Sequence, residues 1–503
     1  MPSPPPNDHN AGPLAPAPVR ADRAAGAVMA SAAGDALGAG YEFGPAMAAD
    51  ATVAMVGGGG FGWAPGEWTD DTQMAQAVLA PLAEGVDDPV PAIEAGFRAW
   101  FASGPADVGV QTSRVLGSPG SLAESAAAAA RANPEGSGNG SLMRTGPVAL
   151  AHPEDPAAIA ALARDVSALT HATHDCVDAC VLWSVAIDHA IHHAPASDEW
   201  FDWASGLRAA LVWIPEERQP KWRGLIEDAA DGMPFEFTKN GWVVHAFQAA
   251  LAAICSTPVP EAPFGARHLQ RALEEAVRMG GDTDTVAAIA GSLLGARWGA
   301  TAVPLHWRRL VHGRRTYGAP VERSADLERQ ARLAFRGGAT DAQGWPAVDS
   351  LLPHYAEAWP APPHRVELAG IWFGNVAALE GALADGADLV VSLCRMGTAD
   401  VPDGVEHHVL GLLDSSADQN PNAAFLLADL AHSLDEPVAD GRKMFVHCVQ
   451  AENRTPAAAI AWLVHRGTPP EEAVAQVDEA LRTPKAFLVT AAMQTGPSGS
   501  ETP

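Results

Sequence analysis

Two short segments place paired carboxylates and hydroxyls at the start of apolar helices. They are Trp68-Thr69-Asp70-Asp71-Thr72 and Gly280-Gly281-Asp282-Thr283-Asp284-Thr285. Asp and Thr are favoured helix N-caps, so each segment can be read as a cap. A cap needs one such residue, however. Adjacent carboxylates ahead of a buried helix repel each other unless a cation neutralises them. Oxygen ligands without Cys or His suit a hard cation, Mg2+ or Mn2+. A third segment, Gly34-Asp35-Ala36-Leu37-Gly38, leads to Glu42. Asp35 can cap or hydrogen-bond, and Glu42 would supply a further carboxylate. A fourth, Gly138-Asn139-Gly140-Ser141-Leu142-Met143-Arg144, is expected to enter another apolar helix. Glycine-rich backbone ahead of a helix either presents N–H groups to a phosphate or makes a plain turn. His171, in Thr170-His171-Ala172-Thr173, precedes a helix, where a lone histidine is ordinarily structural.

A different chemistry is written near the C-terminus, in Met444-Phe445-Val446-His447-Cys448-Val449-Gln450-Ala451-Glu452-Asn453-Arg454-Thr455. An apolar strand runs into a cysteine, five residues follow, and Arg-Thr opens a helix. Such a loop can curl N–H groups around a phosphate, with Arg454 binding it bidentately. Arg454 and the helix N-terminus would favour a nucleophilic thiolate at Cys448, and Thr455 could hydrogen-bond the sulfur. The plain alternative is a buried strand-end cysteine with a surface arginine.

Helices must hold the first set. Asp71–Leu82, Pro156–Leu169, Cys176–His193, Val243–Ile254 and Thr285–Trp298 carry apolar residues at spacings of three and four. The spacing predicts an all-α unit. After Pro360-Ala361-Pro362-Pro363 the character changes. Arg365–Phe373, Leu389–Cys394, His407–Leu413 and Lys443–His447 read as buried strands. Helical stretches Pro421–Ser433, Pro456–His465 and Pro470–Leu481 alternate with them, an α/β pattern. The expected organisation is multidomain: a disordered tail over 1–18, an all-α domain over 19–336, a linker over 337–363, an α/β domain over 364–490, and a second disordered tail over 491–503.

Composition narrows the partners. The chain has 503 residues, 48% of them hydrophobic, and a formal net charge of −28. That balance excludes non-specific nucleic-acid binding through a basic face. It also requires metals, helix N-termini or local arginines wherever an anion is bound. Five cysteines without a Cys-x-x-Cys spacing read as free thiols. No signal peptide and no apolar run of the ~20 residues a membrane helix needs can be found. The expectation is a cytoplasmic protein that does not engage membranes.

The ordered set Gly34–Gly38 with Glu42, the Thr-Asp-Asp-Thr block, the Gly-Asn-Gly-Ser-Leu-Met-Arg block, Thr170-His171 and the Gly-Asp-Thr-Asp-Thr block resembles the ADP-ribosylglycohydrolase family over about residues 20–335. The resemblance implies an all-α fold holding two magnesium ions (manganese being possible). Thr69, Asp70, Asp71, Asp282, Asp284 and Thr285 would be the ligands. Asp70 and Asp71 would also count among the catalytic residues, with Glu42 near the scissile bond. Gly138, Asn139, Gly140, Ser141, Met143 and His171 would line the ADP-ribose site. The implied reaction is hydrolysis of the bond between ADP-ribose and an acceptor: a protein side chain, a nucleic acid or a small molecule. The Cys448–Arg454 segment resembles the dual-specificity and tyrosine phosphatases over about residues 364–490. This implies a phosphorylated substrate and a general acid at Asp414, with Asp418 as the alternative. Ala451, Glu452 and Asn453 depart from that family's loop. The alternative overall reading is a phosphatase whose helical domain only binds ADP-ribose.

Overall fold

The computed structural model describes residues 14–195 and 201–496. Residues 1–13 and 497–503 of the expected tails lie outside the described residues. Within the described part, helix α1 (Ala17–Gly38) already begins at Ala17, inside the stretch expected to be a tail. Ala15 and Val19 at this early start are buried.

α1 and the helix Thr283–Trp298 are buried on nearly all sides, as expected of central helices. They run antiparallel with almost no space between backbones. A Cβ added at Gly26 would lie 2.5 Å from the Gly295 oxygen, and one at Gly34 would lie 2.3 Å from the Ala287 oxygen. Around this pair stand α2 (Asp70–Ala83) and the helices Pro156–Ala168, His174–His193, Val243–Ser256 and Ser324–Ala334. With Thr283–Trp298 designated α3, one end of the α1/α3 pair carries Gly38 beside Asp284. Both acidic segments therefore meet there. The unit is not purely helical. Strands β1 (His312–Gly313) and β2 (Glu322–Arg323) form a two-residue antiparallel ribbon. The backbone at His312 also pairs with Gly66 and Trp68 ahead of α2, which draws this segment extended.

The α/β region holds five strands in the order β3-β4-β7-β5-β6. They are β3 (Arg365–Leu368), β4 (Ile371–Asn375), β5 (Leu389–Ser392), β6 (Glu406–Val409) and β7 (Met444–Cys448). All neighbours are parallel except β3 and β4. The single strand expected over Arg365–Phe373 is thus a hairpin. Ala369 and Gly370 turn it with φ of 47° and 85°, the two positive values of a tight turn. β6 stops at Val409 rather than Leu413 because its neighbour β5 ends at Ser392.

The segment expected to be a linker is docked. Trp345 lies under Arg395 at 4.3 Å and Arg332 at 5.4 Å. The helix Leu352–Ala358 anchors through Tyr355, whose hydroxyl donates to the Arg395 carbonyl at 2.7 Å. The two regions also bond directly. Leu305 N–H donates to Asp429 at 2.7 Å, Asn422 to Thr301 at 2.8 Å, and Arg308 to the Val409 carbonyl at 3.0 Å. The last helix, Ala486–Met493, runs past the expected boundary at 490. No helix among the described residues is long and apolar enough to cross a membrane.

Candidate active site

A cleft of about 420 Å³ opens at the end of the α1/α3 pair. Its floor is acidic: Glu42, Asp70, Asp71, Asp107, Asp282 and Asp284, with Thr285. Asp35, one layer behind, is fully buried and serves as a cap from a distance. Its carboxylate accepts the Thr69 and Thr72 backbone N–H groups at 3.0 Å and the Thr72 hydroxyl at 2.5 Å. This fixes the first turn of α2 so that Asp70 and Asp71 face the cleft. Thr69 sits buried beside them, its hydroxyl 3.4 Å from Asp71 Oδ2. Thr285 donates to the same oxygen at 3.3 Å. Asn139 donates to Asp282 Oδ2 at 2.7 Å and to the Asn240 carbonyl at 2.8 Å, tying the glycine-rich loop to the second acidic segment.

What remains unpaired is informative. Asp71 Oδ1 and Glu42 Oε2 are buried without a hydrogen-bond partner. Candidate ligand atoms of Glu42, Asp282 and Asp284 all lie within 4.8 Å of one another. Burial and then neighbouring carboxylates push Glu42 up to about 8, and raise Asp70, Asp71 and Asp284 well above the usual range. Neighbouring carboxylates dominate the charges acting on these four carboxyls, and the buried Arg144 guanidinium is near enough to Asp70 to interact with it. A hard divalent cation is the species that an all-oxygen set of this kind fits.

Over the floor lies the loop Gly138-Asn139-Gly140. A Cβ at Gly140 would meet the His171 ring at 3.1 Å, so glycine there lets the backbone and the imidazole lie together. His171 Nδ1 bonds the Thr170 hydroxyl at 2.8 Å. Burial and then Arg144 push the ring down to about 3, so it is neutral at ordinary pH. Arg144 itself is buried, 4.2 Å over the Phe97 ring, and donates to Thr170 at 2.6 Å. Met143 lines the cleft. Ser141 does not: its hydroxyl accepts from Ser167 at 3.1 Å and lies among buried helices. Sequence reasoning missed Phe43 and Asp107. Neither lies in a motif, and Asp107 is a single carboxylate in a loop that reaches Asp70 only through folding.

The Cys448 segment has the expected strand–loop–helix layout, ending in α4 (Arg454–His465). Ala451 adopts φ 57°, where the resembled loop has glycine. The side chains are arranged otherwise than expected. Thr455 donates to the Gly374 carbonyl at 3.1 Å, not to the sulfur. Arg454 donates to the Leu393 carbonyl at 2.6 Å. Asp414 is held by Lys485 at 2.7 Å and Asn453 at 3.1 Å. Burial alone would raise its carboxyl, but Lys485 and Arg454 outweigh that and hold it below the usual range. Asp418, the alternative, lies in the short turn Ala417–Gln419. A larger cleft of about 860 Å³ runs past this region between the two parts of the molecule, lined by Val449, Gln450 and Arg454 but not by Cys448.

Comparison with known proteins bears on the helical part. The family model for ADP-ribosylglycohydrolase matches residues 16–340. ADP-ribosylarginine hydrolase Tri1 of Pseudomonas putida (strain GB-1) is 30% identical over 295 residues, covering 57% of this chain and 73% of that protein. ADP-ribosyl-[dinitrogen reductase] glycohydrolase of Rhodospirillum rubrum is 30% identical over 322 residues, 63% of this chain and 97% of that protein. ADP-ribosylhydrolase ARH3 of Homo sapiens is 29% identical over 208 residues, 37% of this chain and 57% of that protein. With the acidic floor and glycine loop lying inside the matched segment, the chain belongs to the ADP-ribosylglycohydrolase family.

Proposed function

We propose that the helical unit hydrolyses the glycosidic bond between ADP-ribose and an acceptor, with ADP-ribosylated arginine the first acceptor to test. One observation supports this above the others: six carboxylates converge on one cleft, with Asp71 Oδ1 and Glu42 Oε2 buried and unpaired. Thr69, Asp70, Asp71, Asp282, Asp284 and Thr285 would hold magnesium, most simply as a pair of ions. The metal, when bound, would neutralise this charge and polarise bound oxygens. The chain's own groups do the rest. Gly138 and Gly140 would offer backbone donors to the diphosphate sugar, Asn139 would hold that loop against Asp282, Met143 would supply an apolar wall, and neutral His171 a ring nitrogen. In the overall reaction, water adds its hydroxyl to the anomeric carbon and the acceptor leaves with a proton. Glu42 Oε2 is the atom placed to move that proton, as general acid or base.

The test is release of free ADP-ribose from ADP-ribosylarginine, with magnesium and after chelation. Asp71→Ala should lower the rate by more than about 100-fold, since metal polarisation is worth several kcal/mol. Undiminished release by that variant would remove the proposal.

For the α/β region we propose a cysteine-phosphatase-type unit acting on a phosphorylated substrate. The supporting observation is the loop 449–453, which turns through Ala451 into the N-terminus of α4, with a buried Arg454 Nε beside it that makes no hydrogen bond and lies 3.9 Å from Asp414. Turnover of an aryl phosphate that disappears in Cys448→Ser would support it. Absence of turnover by the wild-type chain would count against it.

A further inference from the structure

We infer that His432, Asp435 and His465 form a zinc site on the α/β unit, separate from both clefts. The three residues come from three helix ends. His432 closes the helix Ala423–Ser433, Asp435 opens the short helix Asp435–Ala439, and His465 closes α4. α4 begins at Arg454, so its twelve residues hold the trio well away from Cys448. Candidate ligand atoms of the three all lie within 4.8 Å of one another.

The hydrogen bonds of His465 point independently to a cation. Its Nδ1 lies 3.2 Å from the Gly496 carbonyl and its Nε2 lies 2.6 Å from Asp435 Oδ2. Both neighbours are acceptors. A neutral imidazole carries one N–H and can satisfy only one of them. With the N–H on Gly496, the Nε2 lone pair faces a carboxylate oxygen, an arrangement that is repulsive unless a positive species lies between. A backbone carbonyl on Nδ1 is also the usual device that directs Nε2 toward a metal. The His432 ring stands 5.9 Å from the His465 ring at 86°, edge to face, on the same side. Arg466 lies 3.3 Å from Asp435 Oδ1, so it is Oδ2 that faces His465.

Two imidazoles and one carboxylate suit zinc with an open fourth position, and are poor ligands for magnesium. Zinc at roughly 2.0–2.2 Å from each atom separates ligands by about 3.4 Å. The His465–Asp435 pair must therefore open slightly and His432, which is exposed, turn inward. The bound ion would fasten three helix ends together, and through Gly496 the C-terminal segment.

The experiment is calorimetric titration of the full-length, chelator-stripped protein with zinc chloride in excess magnesium, which occupies the acidic cleft. Zinc should bind at one site per chain, and His432→Ala should weaken it by about tenfold or more. Asp71→Ala should leave it unchanged. If His465→Ala proves unstable, the exposed His432→Ala still decides the matter. Three outcomes overturn the inference: no zinc bound, affinity unchanged in both His432→Ala and Asp435→Ala, or zinc lost in Asp71→Ala but kept in His432→Ala.

Discussion

Asp35 and Asp71 are both buried aspartates near the start of α2, yet their partners differ. Asp35 accepts backbone N–H groups through its carboxylate, whereas Asp71 keeps Oδ1 unpaired. Asp35→Ala should therefore cost stability, about 1–3 kcal/mol for buried donors left without an acceptor. Asp71→Asn should do the opposite in metal-free protein, raising Tm while abolishing ADP-ribose release, because it removes one repelling carboxylate. The pH dependence has a definite sign. Folding raises the pKa of Glu42, Asp70, Asp71 and Asp284. These groups thus favour the fold below about pH 4 and lose that contribution as pH rises through the folded value, about 8 for Glu42. Melting of chelated protein should shift downward between pH 5 and pH 8. Added magnesium should raise Tm more at pH 8 than at pH 5; an equal shift at both would contradict the assignment.

At the scale of elements, the site depends on how closely α1 and α3 approach. A Cβ at Gly295 would lie 2.0 Å from the Gly26 carbonyl oxygen, which is backbone and cannot swing aside. Gly295→Ala should destabilise the fold by about 1–3 kcal/mol or more through overpacking. Gly34 is nearer the acidic end, where Gly38 touches Asp284. Prising the helices apart there should separate Asp284 from Asp71. Gly34→Ala should accordingly weaken the magnesium-induced Tm shift as well as lower Tm itself, a pairing that calorimetry with and without metal can check.

At the scale of the molecule, Glu406 carries one of the polar contacts that join the helical and α/β parts. Arg309, from the helical part, donates to Glu406 at 2.6 Å; His408 bonds it at 2.9 Å, and Arg442 pairs with it too. Burial would raise the Glu406 carboxyl, but His408, Arg309 and Arg442 together hold it far below its usual range. A depressed carboxylate contributes stability above its unfolded pKa, near 4.3, and loses it as pH falls further. Glu406→Gln should lower Tm at pH 7, with a smaller penalty near pH 3. An equal penalty at both would show that the charge is not what joins the parts.

Much of this molecule was legible locally. The two acidic segments and the Cys448 loop each lie at the start of an apolar helix, where cap chemistry and periodicity act over a few residues, whereas the glycine loop runs into only the short 3-10 turn Gly146–Leu150. The change to alternating strands and helices after residue 363 was equally plain, because burial imposes period and length on each element. Tertiary structure alone decided which partners meet. Ser141 turned inward because the helix behind it supplies Ser167. Asp107 joined the floor from a loop with no motif. Asp414 is paired with Lys485, far along the chain, only through folding. The tight turn at Ala369-Gly370 split one apolar run into two strands without the usual polar turn residue. The sequence by itself determined which residues could bind a metal or a phosphate and which helices would carry them. Only the fold decided which of those groups stay unpaired, since that depends on what packing brings within hydrogen-bond distance.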